Sequence, residues 1–216
     1  MIPRNPCDAV DRPRVPRREV TFLDEAGVRA LLEAARGDPL EALAVAAVTT
    51  GMRQGELLGL RWGDVDMRGA TIAVRRQLLD HGMGRPELGQ LKTPKSRRSV
   101  ALPAVAVAAL ARHRERLGAL PLPSAPVFTD SRGGPLLKRN LLRRWFHPLV
   151  ARAGLPRMRF HDLRHAHASL LLSAGVHPKV VQERLGHSQV SVTLDTYSHV
   201  APSLQREAAG RIDELL

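Results

Sequence analysis

The chain has 216 residues, of which 44% are hydrophobic, so it is long enough and apolar enough to bury one sizeable core. Its 33 Lys and Arg residues outnumber its 21 Asp and Glu residues, for a formal charge of +12. That excess favours a polyanionic partner such as nucleic acid or an anionic membrane, although an arginine-rich coding bias would produce it too. Aromatic residues make up only 3% of the chain, which argues against a base-stacking single-strand binder and favours duplex DNA.

The N-terminal segment and the cysteine content indicate where the protein acts. Cys7 is the only cysteine, so it cannot form a disulfide within the chain, as is usual in a reducing compartment. No run of about 18 apolar residues is present, and the first ten residues lack the apolar centre of a secretion signal. We therefore expect a cytoplasmic protein with no membrane partner.

The first fifty residues divide into a leader and two helices. Residues 1–20 are rich in proline and arginine without an apolar period, and are interpreted as a linker or arm. A helix capped by Thr21 or Asp24 is predicted through about Arg36. EALAVAAVTTG predicts a core helix that ends at Gly51, and RQGELLGL predicts a short helix after it.

The remaining segments predict a small sheet followed by helices. Between about 69 and 101, the segments ATIAVRRQLL, ELGQLKT and RRSVAL predict three short antiparallel strands. Gly and Pro breaks then separate helices predicted at 103–117, about 138–153, 160–174, 178–185, 189–196 and from about 202. The fold class is therefore expected to be mainly α with a small three-stranded antiparallel sheet.

The pentapeptide HDLRH at 161–165 nearly matches the zinc-protease signature H-E-x-x-H. On a helix, His161, Arg164 and His165 would share the face opposite an apolar stripe and project away from the packed side. His167, nearer that stripe, is expected to be structural. A guanidinium between two zinc ligands would oppose a dication but suits a phosphate, which an arginine binds through two N–H groups, so we expect no metal here.

Binding a phosphate for catalysis requires several cationic or donor groups, and the chain supplies further candidates. Arg53 lies in TGMRQGELLGLRW and Lys92 in QLKTPKSRR, where Lys95 is a rival to Lys92. His187 stands ten residues before Tyr197, the only tyrosine.

Four segments in order give the sequence a resemblance to a known family: TGMRQGELLGLRW, LKTPKSRRSVALP, HDLRHAHASLLLSAGV and VVQERLGHSQVSVTLDTYSHV. Together they resemble the tyrosine recombinases, or phage integrase-type site-specific recombinases, over about residues 21–200. The resemblance implies the catalytic-domain fold of that family. One departure is Ala166, which stands where a small hydroxyl residue is common in the family.

The resemblance also implies roles for the charged residues. Arg53 and Arg164 look like the two arginines that bind the scissile phosphate, and Glu56 like the acidic residue that steadies the site. Lys92 resembles the lysine that protonates the departing 5′ oxygen, a task suited to a mobile ammonium.

The histidines and the tyrosine complete the implied site. His161 resembles a proton acceptor for the nucleophile, His187 a hydrogen-bonding partner of the phosphate or the nucleophile, and Tyr197 the nucleophile itself. His165 is expected to support the site through hydrogen bonds, with a direct phosphate contact left open. Chemistry of this kind needs neither cofactor nor metal, because the arginines and the lysine supply the positive charge.

The implied activity is DNA strand cleavage and rejoining through a 3′-phosphotyrosyl link, as in an integrase or recombinase. Two alternatives are a catalytically idle DNA-binding remnant and an enzyme that relaxes DNA like a type IB topoisomerase. The expected organisation is a linker over 1–20, which joins an N-terminal DNA-binding domain in the family, a catalytic domain over 21–200 and a tail helix over 201–216. Expected partners are double-stranded DNA and, on DNA, three further copies in a tetramer formed by a protein that is monomeric in free solution. The tail could dock on a neighbouring copy or on its own domain.

Overall fold

The computed structural model describes residues 23–80, 86–91, 96–186 and 212–213. The helices are α1 (Glu25–Ala34), α2 (Glu41–Thr50), α3 (Gln54–Leu58), α4 (Ala104–Glu115), α5 (Lys138–Leu141), α6 (His147–Arg152), α7 (Asp162–Ser173) and α8 (Pro178–Leu185). The strands are β1 (Val65–Asp66), β2 (Thr71–Val74), β3 (Arg76–Leu79), β4 (Glu87–Gln90) and β5 (Arg98–Ala101). The predicted helix at 189–196 and most of the predicted tail helix lie outside the described residues.

Helix α2 forms the centre of the molecule, as its apolar sequence predicts. Nearly all of its residues are buried, and it packs against α1, α4 and α7. It ends at Gly51, whose φ of +62° is a left-handed conformation that glycine adopts without steric cost. Asp24 caps α1 by accepting a hydrogen bond from the backbone N–H of Gly27, as one of the two predicted caps.

The predicted fold class, mainly α with a three-stranded antiparallel sheet, is confirmed, but the strands differ in part from those expected. The sheet has the order β1, β2, β5, with Thr71 opposite Ala101 and Val74 opposite Arg98. Strands β3 and β4 form a separate antiparallel pair, with Arg76 opposite Gln90. The segment predicted as one strand is therefore divided between two sheets.

The division occurs at Arg75 for a physical reason. Successive side chains of a strand point to opposite faces, yet Arg75 and Arg76 both form ion pairs with the buried carboxylate of Asp64. A regular strand cannot supply both contacts. The chain leaves the first sheet here, and β3 packs on α3.

The helix predicted at about 138–153 consists of three consecutive parts. A π-helical segment, Leu142–Phe146, joins α5 to α6. Pro148 lies at the start of α6 and has no N–H to continue the α-helical hydrogen-bond pattern, which accounts for the local change. None of the helices in the described ranges is long and apolar enough to cross a membrane.

Candidate active site

The C-terminal end of α8 accepts hydrogen bonds from three arginine side chains. The bonds run from Arg98 Nε to the Arg184 carbonyl (2.7 Å), from Arg164 Nη2 to the Leu185 carbonyl (2.8 Å) and from Arg53 Nη2 to the Gly186 carbonyl (3.3 Å). The last carbonyl groups of a helix have no partner within the helix, and they carry partial negative charge. Cationic donors from three other parts of the chain therefore converge at this end.

Arg164 is buried, with only 3% of the residue exposed. Besides the end of α8, its Nη1 donates to the carbonyl of Gly51, where α2 ends (2.8 Å). The expectation that Arg164 projects away from the packed side was wrong. The ends of α2 and α8 both approach the face of α7 that bears it, and their carbonyl groups supply the acceptors that a buried guanidinium needs.

Arg53 and Glu56 form a compact pair at the start of α3. The Glu56 carboxylate accepts from the backbone N–H of Arg53 (2.9 Å) and from its Nη1 (2.8 Å). The Arg53 side chain remains 37% exposed, whereas that of Glu56 is 1% exposed. The buried Glu56 carboxylate therefore holds Arg53 from the protein side, while part of the guanidinium faces solvent.

A second arginine binds the same carboxylate. Arg98 Nη2 donates to Glu56 Oε2 at 2.8 Å, and its Nη1 donates to Oε1 at 3.2 Å. Burial alone would raise the pKa of Glu56, but the hydrogen bond and charge of Arg98, followed by those of Arg53, hold that pKa below its usual value. Glu56 is thus a carboxylate between two guanidinium groups.

His161 and His165 lie side by side on α7 and its N-terminal end, with ring centroids 4.9 Å apart in an edge-to-face arrangement. Loss of hydration, followed by the charge interactions with His165 and Arg164, lowers the pKa of His161 to about 4, although part of the residue is exposed. Loss of hydration likewise lowers the pKa of His165. Neutral imidazoles of this kind keep a lone pair that can accept a proton or a hydrogen bond.

The acid of HDLRH is committed to another partner. Asp162 accepts from Arg159 Nη2 at 2.8 Å and from the backbone N–H of Arg159 at 2.7 Å. Within residues 23–80, 86–91 and 96–186, no group of three His, Cys, Asp or Glu side chains is arranged to hold a metal ion.

His167 lies in the core, as predicted, and supports the same helix end. Its Nδ1 donates to the carbonyl of Val48 (2.8 Å), and its Nε2 accepts from Arg184 Nε (3.1 Å). Arg184 also donates to the carbonyl groups of Thr49 and Ala101. The Arg184 side chain therefore connects α8 to α2 and β5.

Sequence reasoning missed Arg98 and Arg184. A signal for Arg98 was present, because it alternates with buried Val100 on one face of β5. A charged residue on the inward face of a strand requires a buried partner. The identity of that partner, Glu56, is not readable from the local pattern.

The structure brings Arg53, with its partner Glu56, and Arg164 to the end of α8, and it places His161 and His165 beside Arg164. The other predicted site residues, Lys92, His187 and Tyr197, lie outside the described residues, as does the rival Lys95. In the sequence, Lys92 directly follows Leu91, and His187 directly follows Gly186, whose carbonyl accepts from Arg53.

Comparison with known proteins identifies the relatives of this chain. The model of the phage integrase family matches residues 21–203. A protein named tyrosine recombinase XerC-like, from Caldanaerobacter subterraneus, is 33% identical over 99% of this chain and 61% of its own length. The ICEBs1 integrase of Bacillus subtilis is 30% identical over 100% of this chain and 60% of its own length. The chain thus spans about three fifths of these relatives.

Solved structures agree with the sequence relatives. The Tn1549 transposon integrase, in complex with circular intermediate DNA, superimposes with a TM-score of 0.76 at 27% identity, covering 95% of this chain and 70% of that one. The XerA recombinase crystal structure gives a TM-score of 0.71 at 26% identity, covering 93% and 66%. With the four ordered motifs and the arginines at the end of α8, these matches show that the chain belongs to the phage integrase family, the tyrosine recombinases.

Proposed function

We propose that this protein is the catalytic part of a site-specific DNA recombinase, which cleaves and rejoins strands through a covalent link to Tyr197. The observation that carries the proposal is the convergence of Arg53 and Arg164 on adjacent carbonyl groups of one helix end. Membership of the tyrosine recombinase family supports the same function.

The arrangement suits the binding of one phosphate. A guanidinium has five N–H donors, and the hydrogen bonds described above use only some of the donors of Arg53, whose side chain is partly exposed. Positive groups that protein acceptors already hold in place stabilise charge on phosphoryl oxygens without reorganising during the reaction. Glu56 holds Arg53 in place, and we propose that His165 supports the site through hydrogen bonds.

In the proposed step, the phenol oxygen of Tyr197 attacks phosphorus, and the bond from phosphorus to the 5′ oxygen breaks. His161 accepts the phenol proton, Lys92 donates a proton to the departing 5′ oxygen, and His187 hydrogen-bonds the phosphate. A neutral His161 has the lone pair this requires, and the charge of a bound phosphate would raise its pKa toward the range of an efficient base.

Rejoining reverses the same chemistry with another strand end. A 5′ hydroxyl attacks the phosphotyrosyl bond and releases Tyr197, so one phosphate ester replaces another of similar energy. The exchange therefore requires no ATP. Two guanidinium groups and one ammonium supply the positive charge, and we propose that neither metal nor cofactor takes part.

We further propose that the substrate is double-stranded DNA and that four copies assemble on it from a protein that is monomeric in free solution. The complex of the Tn1549 integrase with DNA supports the choice of partner. Residues 1–20 would serve as a linker, 21–200 as the catalytic domain and 201–216 as a tail that contacts a neighbouring copy or its own domain. Because the proposed substrate is DNA and the sole cysteine cannot pair within the chain, we expect action in the cytoplasm.

The proposal is tested by trapping the covalent intermediate. The 216-residue chain is incubated with a pool of nicked duplexes of randomised sequence, in which the short 5′ fragment diffuses away after cleavage, and adducts are resolved on a denaturing gel. The wild type is expected to form an adduct that Tyr197→Phe abolishes, because phenylalanine lacks the attacking oxygen.

Equal duplex binding by the two proteins is the control for folding. A wild type that binds DNA but forms no adduct at saturating concentration, or a Tyr197→Phe protein that still forms it, would contradict the proposed function.

A further inference from the structure

Arg98 donates four hydrogen bonds to acceptors on three residues, and its side chain is only 7% exposed. It donates to both carboxylate oxygens of Glu56, to the carbonyl of Arg184 and to the carbonyl of Ser96. Every nitrogen of the guanidinium therefore has a protein acceptor. Such a group is suited to fixing geometry, because its donors are committed to the protein.

These contacts connect three segments that carry proposed catalytic residues. Strand β5 begins at Arg98, six residues after Lys92. Glu56 lies on α3 and binds Arg53. The Arg184 carbonyl lies at the end of α8, three residues before His187.

Removal of Arg98 would leave Glu56 buried with one arginine instead of two. A buried carboxylate that loses a charged partner is strongly destabilised where it stands. Its remaining partner, Arg53, is bound to it through two hydrogen bonds, so a displaced Glu56 would displace Arg53 as well. The position of the Arg53 guanidinium should therefore depend on Arg98, although the two side chains are linked only through Glu56 and the end of α8.

We propose that Arg98 is a positioning residue of the strand-cleavage site: through Glu56 and the end of α8, it holds Arg53 and the segment that leads to His187 in the arrangement that cleavage requires. The proposal rests on the proposed function. It assigns Arg98 no contact with DNA.

The molecule offers a matched control. Arg76 on β3 also forms an ion pair with a buried carboxylate, that of Asp64, and its side chain is likewise mostly buried. This pair has no contact with α8 among the described hydrogen bonds. Arg76→Ala therefore reproduces the loss of an arginine from a buried ion pair whose carboxylate makes none of its described hydrogen bonds to a candidate site residue.

The experiment measures the single-turnover rate of adduct formation at saturating DNA, the affinity for the same duplex and the melting temperature. Arg98→Ala is expected to lower the rate by about 100-fold, the scale of a misplacement of about 1 Å in an active site, with a much smaller change in affinity. Arg76→Ala is expected to lower the melting temperature but to cleave at the wild-type rate when folded.

Two further variants separate positioning from general stability. Arg98→Lys keeps the charge but not the planar fork, so it should restore part of the lost rate. Arg98→Ala combined with Glu56→Gln should lose no more rate than the worse single variant, because coupled residues are not additive. If Arg98→Ala does not fold, the test uses Arg98→Lys instead. This variant is expected to cleave several-fold more slowly than the wild type while keeping the wild-type melting temperature.

An Arg98→Ala protein that cleaves as fast as Arg76→Ala would overturn the positioning role. If the alanine variant does not fold, an Arg98→Lys protein that cleaves at the wild-type rate would overturn it. Either result would leave the proposed function standing. Losses that add in the double variant would overturn the positioning role as well. A wild type that forms no adduct would overturn both.

Discussion

Single side chains at this site are held by acceptors of the protein itself. Arg164 donates to the carbonyl groups that end α2 and α8, and Arg53 donates to Glu56 and the end of α8. Groups fixed in this way need little rearrangement when charge develops on a substrate. Under the proposed function, cleavage would depend on Glu56 and Arg98 as well as on the groups that touch DNA.

The burial of His167 leads to a prediction about the stability of the protein in acid. Loss of hydration, followed by the charge of Arg184, lowers the pKa of His167 to about 4. The hydrogen bond to the carbonyl of Val48 raises the pKa but does not offset these effects. In the unfolded chain the histidine pKa is about 6.5. Between these values the unfolded chain binds a proton that the folded protein does not, so stability is full above about pH 6.5 and falls as the pH drops toward 4.

His167→Asn should reduce this loss, which for a shift of this size amounts to about 3 kcal/mol at most. Asparagine does not titrate, and its amide can still donate to the carbonyl of Val48. Urea unfolding at pH 7 and pH 4.5 measures the difference, with His177→Asn as the control at an exposed histidine. An identical drop in the wild type and His167→Asn would show that another group causes the acid sensitivity.

At the scale of elements, the site is a junction where α2, α7 and α8 end or begin near one another. Gly51 ends α2, and its carbonyl accepts from Arg164 on α7. The end of α8 receives Arg53, Arg98 and Arg164. Because three elements meet there, a change in one helix end should be felt by the others.

Gly51→Ala tests this junction. The left-handed φ of +62° should cost an alanine about 1 kcal/mol. A Cβ at this position would also lie 2.5 Å from His167 Cδ2 and 2.7 Å from Leu185 Cδ2, both in the core. Overpacking of this kind should add about 1 to 3 kcal/mol to the loss in the free energy of unfolding.

Gly154→Ala is the matched control, because Gly154 has a φ of +67° but no atom within 4 Å of an added Cβ. Urea unfolding of the two variants separates the conformational cost from the steric cost. Equal losses at the two positions would show that the junction yields easily and that its packing contributes little.

At the scale of the whole molecule, the charge of +12 is only partly available to a partner. Arg98, Arg164 and Arg184 use their guanidinium groups on carbonyl and carboxylate acceptors inside the protein. Others, such as Arg29 on α1, are largely exposed. Net charge therefore overstates how many arginines can reach a phosphate.

The salt dependence of duplex binding measures how many arginine and lysine side chains contact phosphates. The logarithm of the binding constant should fall linearly with the logarithm of the salt concentration, with a slope of about −0.9 for each phosphate contacted. Arg53→Ala should make the slope shallower by about one, because Arg53 is proposed to contact the phosphate.

Arg29→Ala removes the same charge from a helix that carries none of the proposed site residues, so it should leave the slope unchanged. An equal effect of the two variants would mean that the slope reports net charge and that Arg53 does not contact a phosphate.

Local sequence patterns anticipated most of the architecture. The Asp24 cap of α1, the apolar run of α2 and the glycine at its end are local signals, and each has the predicted structural outcome. The motif residues Arg53, Glu56, Arg164 and the two histidines of HDLRH were chosen from the sequence, and the structure brings Arg53 and Arg164 to one helix end. Their proposed roles, with those of Lys92, His187 and Tyr197, stay predictions.

The sequence by itself determined most of the helices in the described ranges, the family and the motif residues of the candidate site, because caps, periodicity and motifs depend on residues close together in the chain. Only the tertiary structure decided that Arg164 is buried, that one predicted strand is divided at Arg75 and that Arg98 joins Glu56 to the end of α8. Each of these depends on an acceptor far away in sequence, as when Arg98 donates to the carbonyl of Arg184. Buried charges require partners, and which partner is within reach is decided by how the elements pack.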